Sequence, residues 1–156
     1  MAKVHESAVT LRFSGDDLDP EAVSTAIGLR PTKGVRKGEI WFLPNGTEMI
    51  ARTGMWHFHI GRKVPGDLDK PISSLFSLAS TDLDVWRDLS RRYHGHLFVG
   101  LMLKHGNEGI AIEPEVLAAI GARGLRLDFD IYTCHDAIDD RDAQAVTLKV
   151  PRAQGG

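Results

Sequence analysis

Two pairs of side chains could do chemistry, because each pair alternates along a segment with strand periodicity. His57 and His59 are separated by one phenylalanine, and so are Asp128 and Asp130. Residues two apart on a β-strand project from the same face, so each pair presents two like groups side by side. Two imidazoles at this spacing suit zinc or another transition metal, whereas two carboxylates suit acid–base work or a cation.

Both pairs also have a plainer interpretation, as polar residues on the solvent side of a strand. His94 and His96 would be the nearest further metal ligands, and no carboxylate lies close to His57 and His59 in the sequence. If the two strands were neighbours, one polar sheet face would collect the predicted ligand-binding residues, namely Arg12, His57, His59, Asp128, Asp130 and Tyr132. We assign no catalytic residue, and we expect no cofactor unless His57 and His59 bind such a metal.

Three other features are weaker candidates. Cys134 precedes His135, but adjacent strand residues point in opposite directions, so a packing cysteine is favoured over a nucleophile and base. Residues 30–38 form a predicted basic loop, which follows a helix C-terminus and lacks the ending of a phosphate loop, so it is interpreted as solvated. Trp41 and Trp56 are interpreted as packing residues, and either one would be an interface anchor if exposed.

Hydrophobic periodicity places these residues on a series of strands and helices. Strands are predicted at residues 8–14, 39–43, 47–52, 55–60, 97–104, 109–112 and 125–133, with 39–43 and 47–52 forming a hairpin. Helices are predicted from Asp19, from residue 72 to 93 in two pieces, and from Glu113. On the last strand, Leu127, Phe129 and Ile131 are expected to face inward.

The order of elements predicts an α+β fold with a mixed or antiparallel sheet and helices on one face. The specific expectation is a ferredoxin-like unit extended by a second strand-helix-strand element. Two helix openings resemble each other: Asp19-Pro20-Glu21 through Gly28, and Glu113-Pro114-Glu115 through Gly121. Shared capping chemistry and internal duplication both explain this likeness.

Composition narrows the class of protein. The 156 residues carry a net charge of −2, which argues against a nucleic-acid binder, since these usually have a basic excess. The single cysteine indicates a reducing compartment, the N-terminus has no apolar signal-peptide core, and no apolar run approaches the length of a membrane span. We therefore expect a cytoplasmic protein with one domain at residues 1–136 and a polar, partly disordered tail at residues 137–156.

Several short motifs, taken in order, resemble the bacterial domain-of-unknown-function family DUF4279. They are Leu11-Arg12-Phe13, Leu18-Asp19-Pro20-Glu21, Gly28-Leu29-Arg30-Pro31-Thr32, Lys37-Gly38-Glu39, Thr53-Gly54-Met55-Trp56 and Leu127-Asp128-Phe129-Asp130-Ile131-Tyr132. The resemblance covers about residues 9 to 132 and implies a small bacterial cytosolic protein. It brings no activity, cofactor or catalytic residue, and His57 and His59 are not part of the family pattern.

The leading functional prediction is a non-catalytic module that binds a protein partner or a second copy of itself. An immunity or antitoxin-like role is one form of this prediction. The alternative is a small enzyme, or a metal- or ligand-binding protein, that uses the His/Asp sheet face. The two hypotheses separate on whether His57, His59, Asp128 and Asp130 converge in a concave site.

Overall fold

The computed structural model describes residues 2–133, in which nine strands and four helices follow one another. The elements are β1 (Ala2–Lys3), β2 (Glu6–Gly15), α1 (Pro20–Ile27), β3 (Lys33–Val35), β4 (Ile40–Phe42), β5 (Glu48–Ile50), β6 (Gly54–Lys63), α2 (Asp69–Leu78), α3 (Leu83–Arg92), β7 (His96–Met102), β8 (Glu108–Gly109), α4 (Pro114–Ala122) and β9 (Arg126–Tyr132). The predicted α+β class is therefore confirmed. The predicted tail and Cys134 lie outside the described residues.

Five strands form the main sheet, in the order β3-β6-β2-β7-β9. Neighbouring strands are antiparallel except β7 and β9, which are parallel, so the sheet is mixed as predicted. The pairs β1-β8 and β4-β5 form two smaller sheets within the described part of the chain. The ferredoxin-like description of this arrangement remains a prediction.

One face of the main sheet packs against the helices. On β2 the side chains of Val9, Leu11 and Phe13 are buried, as the alternation predicted. They belong to one hydrophobic cluster with residues of every helix, among them Val23 and Ile27 of α1, Ile72 and Leu75 of α2, Trp86 and Leu89 of α3, and Val116 and Ile120 of α4. The alternate residues of the strands therefore lie on the opposite side, called here the helix-free face.

The two similar helix openings differ in their capping. The Asp19 side chain accepts a hydrogen bond from the backbone N–H of Glu21, and α1 ends at Gly28, whose φ of 76° is left-handed. Glu113 makes no such side-chain cap at α4. A proline in the first turn is the feature that both helices share, and it is favourable there because the first turn needs no amide donor.

The two edges of the main sheet differ from what the sequence predicted. Residues 33–35 of the predicted basic loop form the edge strand β3, which the charge of the segment concealed. At the other edge, Leu127, Phe129 and Ile131 of β9 take the helix-covered face as predicted, but Phe129 and Ile131 are 45% and 55% exposed. β9 is an edge strand of the main sheet and has one neighbour in it, β7.

The predicted hairpin of residues 39–52 is confirmed as β4 and β5. Its two strands are short, and Ile40 pairs with Ile50 while Trp41 pairs with Met49. Ile40, Phe42 and Ile50 are 54%, 64% and 65% exposed, so they form an apolar outer face of the hairpin. Trp41 points the other way and contacts Lys33 of β3.

Candidate functional site

A row of five basic side chains crosses the whole helix-free face, one from each strand of the main sheet. The strand registers place them side by side in the order Lys33, His57, Arg12, His96 and Arg126. Neighbouring strands are about 4.8 Å apart, so the row extends about 19 Å from edge to edge. We call these five residues the cationic row.

Local sequence fixes which face each of these residues takes. Arg12 lies between the buried Leu11 and Phe13, and His57 follows the fully buried Trp56. Because side chains alternate along a strand, burial of the apolar neighbours directs Arg12 and His57 to the helix-free face. The row is thus a consequence of the same periodicity that builds the core.

Aromatic rings, and not carboxylates, hold two of the cations. The guanidinium of Arg12 lies 3.9 Å from the ring centre of Phe98, and the ammonium of Lys33 lies 3.0 Å from that of Trp41. Among the ion pairs of residues 2–133, none involves Lys33, His57 or Arg12. A cation–π contact orients a cation without cancelling its charge, so this part of the row stays electropositive.

Burial and mutual repulsion depress the basicity of this part of the row. Desolvation, followed by the charges of Arg12, Lys33 and His96, lowers the pKa of His57 from 6.5 to about 4. Desolvation and then Arg12 lower the pKa of Lys33. The pKa of Arg12 is lowered by desolvation, which Asp128 partly offsets, and its Nε is buried without a hydrogen-bond partner.

The other end of the row contains its own counter-charge. Arg126 donates from Nε and Nη2 to the two oxygens of Asp128, at 2.8 Å each. His96 Nε2 lies 3.7 Å from the same carboxylate. The hydrogen bond from Arg126 lowers the pKa of Asp128, against a smaller opposing effect of desolvation. This carboxylate is therefore engaged with Arg126 and His96.

All six predicted ligand-binding residues lie on the helix-free face, but they do not form one cluster. The strands β6, with His57 and His59, and β9, with Asp128 and Asp130, are separated by β2 and β7. Three strand spacings put the two pairs about 14 Å apart. The hypothesis that these strands are neighbours is therefore wrong, and the convergence on which the enzyme alternative depended is not formed.

Local hydrogen bonds occupy several of these groups. His59 Nδ1 lies 2.9 Å from Thr10 Oγ1, and the hydroxyl of Tyr132 donates to Asp130. His96 Nδ1 lies 3.0 Å from the carbonyl oxygen of His94. Within residues 2–133, no three histidine, cysteine or carboxylate side chains are grouped so that they could hold a metal ion.

Sequence reasoning missed Lys33, Arg126 and Phe98 as members of the candidate site. Lys33 was placed in a loop, and Arg126 was not weighed although it is two residues before Asp128. Phe98 was predicted only as part of the strand at residues 97–104, and its ring was given no role in the site. Alternation alone would have found Arg126, which shares a face with Asp128 and Asp130.

The other candidate residues from the sequence pack in the core or form local contacts and ion pairs. Trp56 is fully buried and belongs to the core, whereas Trp41 is half-buried beside Lys33. In the basic segment, Arg36 forms an ion pair with Asp19 at 2.6 Å, and Lys37 forms one with Asp16. Within that segment, Lys33 is the cation that lies on the helix-free face.

His57 makes the stability of the protein depend on pH in a defined window. An unfolded histidine takes up a proton near pH 6.5, whereas folded His57 does so near pH 4, so stability falls as pH decreases between these values. At pH 5 we expect this to cost about 1 kcal/mol, allowing for solvent screening. Urea unfolding at pH 7 and pH 5 measures it, and His57→Gln should lose less stability over this interval than the wild type. An equal loss in both proteins would contradict the assignment.

Comparison with known proteins identifies a family. A family model described as a domain of unknown function (DUF4279) matches residues 3–134. No curated protein and no solved structure matches the chain. In the described residues, none of the helices is long and apolar enough to cross a membrane.

Proposed function

The chain belongs to the DUF4279 family, and we propose that it is a non-catalytic binding module that holds an anionic ligand on its helix-free face. The observation that carries the proposal is the positive charge of Lys33 and Arg12 in the cationic row, which no ion pair of the described residues neutralises. Lys33, His57 and Arg12 stand on three adjacent strands, and no carboxylate among residues 2–133 forms an ion pair with them.

Arg12 and Lys33 are partly desolvated cations without an ion-pair partner in the described part of the chain, and Asp128 acts on Arg12 only from beyond ion-pair distance. Burying a charge is unfavourable unless a partner of opposite sign replaces the lost water. Desolvation is the largest influence on the pKa of each of the three groups. An anion placed over them would supply the missing partner, so part of the cost of holding them together would be recovered on binding.

Anion binding is tested by calorimetry and thermal unfolding at constant ionic strength. Wild-type protein would be titrated with acetate, sulfate and inorganic phosphate, each balanced against chloride to separate binding from salt screening. We expect at least one oxyanion to bind and to raise the melting temperature. If none of them does better than chloride, the proposed function fails.

A second candidate function is protein contact through the hairpin formed by β4 and β5. It is favoured by the apolar outer face of Ile40, Phe42 and Ile50, because exposed apolar patches mark interaction sites. We propose a second copy of this chain as the occupant. Glu48 and Arg52 lie two residues to either side of Ile50, so a two-fold axis there would bring the acid of one copy near the base of the other.

Self-association through the hairpin predicts a specific result in analytical ultracentrifugation. At tens of micromolar, the wild-type protein should sediment as a dimer and Ile50→Lys as a monomer, since a charge would be buried without a partner. Leu78→Lys is the matched control, because Leu78 is 69% exposed on α2, and it should remain dimeric. A monomeric wild type would exclude the second copy.

The immunity or antitoxin-like role and the bacterial, cytoplasmic setting remain predictions.

A further inference from the structure

The helix-free face has features that select among anions. Resting on the proposed function, we infer that the ligand group is a phosphate monoester in its dianionic form, bound across Lys33, His57 and Arg12. The number and spacing of the donor groups on these three residues indicate the shape of the ligand, and their charge indicates the charge of the ligand.

The number and spacing of donors favour a tetrahedral oxyanion. Lys33, His57 and Arg12 are in register on β3, β6 and β2, so three different donor groups arise from positions about 4.8 Å apart. A phosphate monoester offers three terminal oxygens, one for each of these side chains, and arginine can bind two of them through its fork. A carboxylate has two oxygens, so two of the three donor groups would have to share one oxygen.

The charge balance favours two negative charges. Arg12 and Lys33 are the cations without a carboxylate partner, while Arg126 is neutralised by its two hydrogen bonds to Asp128. His57 is uncharged at neutral pH, because its pKa is lowered to about 4. The three-residue site therefore carries two positive charges that a dianion would match, whereas a monoanion would leave one uncompensated.

The aromatic rings keep the two cations available for this ligand. Phe98 lies against the guanidinium of Arg12, and Trp41 lies against the ammonium of Lys33. Long side chains lose conformational entropy when a ligand fixes them, and such contacts reduce that loss before binding. The site is thus ordered by contacts that leave its charge in place.

His57 sits between the two cations and gives the binding a spectroscopic signature. As a neutral imidazole it can donate one N–H to a phosphate oxygen. A dianion beside it would also favour the protonated ring, so its pKa should rise when phosphate binds. Nuclear magnetic resonance of the His57 ring, with and without ligand, follows this shift directly.

The test compares methyl phosphate, inorganic sulfate and acetate by calorimetry on the full chain. The second pKa of a phosphate monoester is about 6, so about tenfold less dianion is present at pH 5 than at pH 7. Sulfate is a dianion at both pH values. We expect the ratio of methyl phosphate to sulfate affinity to fall about tenfold from pH 7 to pH 5, and acetate to bind at least tenfold more weakly than methyl phosphate at pH 7.

The ratio of the methyl phosphate affinity to the sulfate affinity is insensitive to the protonation of the protein's own groups. The charged or titratable groups on the helix-free face around this site are Lys33, His57, His59, Arg12, His96, Asp128, Asp130 and Arg126. Each of them acts on both dianions, so a change in their protonation affects the two affinities alike. A ratio that stays constant between pH 5 and pH 7 would overturn the preference for a phosphate dianion.

Two lysine variants locate the binding. Lys33→Met should weaken methyl phosphate binding at least tenfold, whereas Lys63→Met, an equal charge change at the exposed end of β6, should alter it less than twofold. Equal effects of the two variants would place the ligand elsewhere and overturn the inference. If acetate binds as well as methyl phosphate and Lys33 is still required, the anion-binding function survives and the phosphate assignment fails.

The same chemistry can come from a small phosphorylated compound or from a phosphorylated protein side chain. Methyl phosphate represents the first source, and a short phosphoserine peptide represents the second. Tighter binding of the peptide, lost in its unphosphorylated form, would identify a protein source. Equal affinities would identify the phosphate group alone as the recognised feature, and both results support the dianion site.

Discussion

Trp56→Ala is expected to lower the free energy of unfolding by about 3 to 5 kcal/mol, the cost of truncating a large buried aromatic residue. Trp56 has no exposed surface, and its ring meets Phe13 edge-on at 5.8 Å and stacks near Phe58 at 6.3 Å. Its indole N–H also donates to Ser24 Oγ at 2.9 Å, which links β6 to α1. The alanine variant would lose all of these contacts and leave a cavity beneath the sheet.

Urea unfolding followed by far-ultraviolet circular dichroism measures this loss without relying on tryptophan fluorescence. Trp41→Ala is the matched control, since it removes the same side chain from a half-buried position on the hairpin. We expect the control to cost about 1 kcal/mol, in line with a partly exposed residue. If the two variants were equally destabilised, Trp56 would not be the anchor of the helix-covered face.

Local patterns predicted the elements that depend on neighbouring residues. The alternation around Leu11 defined β2 and its buried side, because strand periodicity is visible within a few residues. Asp19, Pro20 and Gly28 defined α1 from cap to stop, since each has a positional preference at a helix end. The hairpin of β4 and β5 followed from its Pro-Asn-Gly turn in the same way.

The features that the sequence did not predict depend on how strands from distant parts of the chain lie in the sheet. The cationic row joins residues 33, 57, 12, 96 and 126, an order that reflects strand neighbours and not chain neighbours. Lys33 was concealed because β3 is three residues long and its charges resemble those of a loop. Alternation within β9 predicts which face Phe129 takes, but it carries no information about how deeply that residue of an edge strand is buried.

The strand order supports a different chemistry for the candidate site from the one that the sequence suggested. The histidine and aspartate pairs suggested a metal or acid–base site when their strands were treated as neighbours. With β2 and β7 between those strands, Arg12 becomes the centre of the row and Asp128 becomes the partner of Arg126. The charge that no ion pair of the described chain neutralises at the β3-β6-β2 end of this face is then positive, so the geometry there favours binding an anion over holding a cation.

Arg12→Met is expected to abolish measurable methyl phosphate binding, a loss of more than tenfold, while leaving the ligand-free protein as stable as the wild type or more so. Methionine keeps much of the length of arginine, and its sulfur can contact the ring of Phe98 as the guanidinium does. The substitution removes a partly desolvated charge whose Nε has no partner, so the folded state loses an unfavourable contribution.

The opposite signs of these two effects distinguish a ligand-binding arginine from a structural one. A structural arginine stabilises the fold through its partners, so its removal lowers stability together with any function that depends on folding. A residue retained for binding can oppose folding, because its charge is held ready for a partner that the ligand supplies. Thermal unfolding without ligand and calorimetry with methyl phosphate measure the two effects, and the exposed Arg30→Met, with the same change in net charge, should alter neither. If Arg12→Met lost more than about 2 kcal/mol of stability, the size of a typical core defect, Arg12 would be a structural residue. The proposal that Arg12 is retained for ligand binding would then be contradicted.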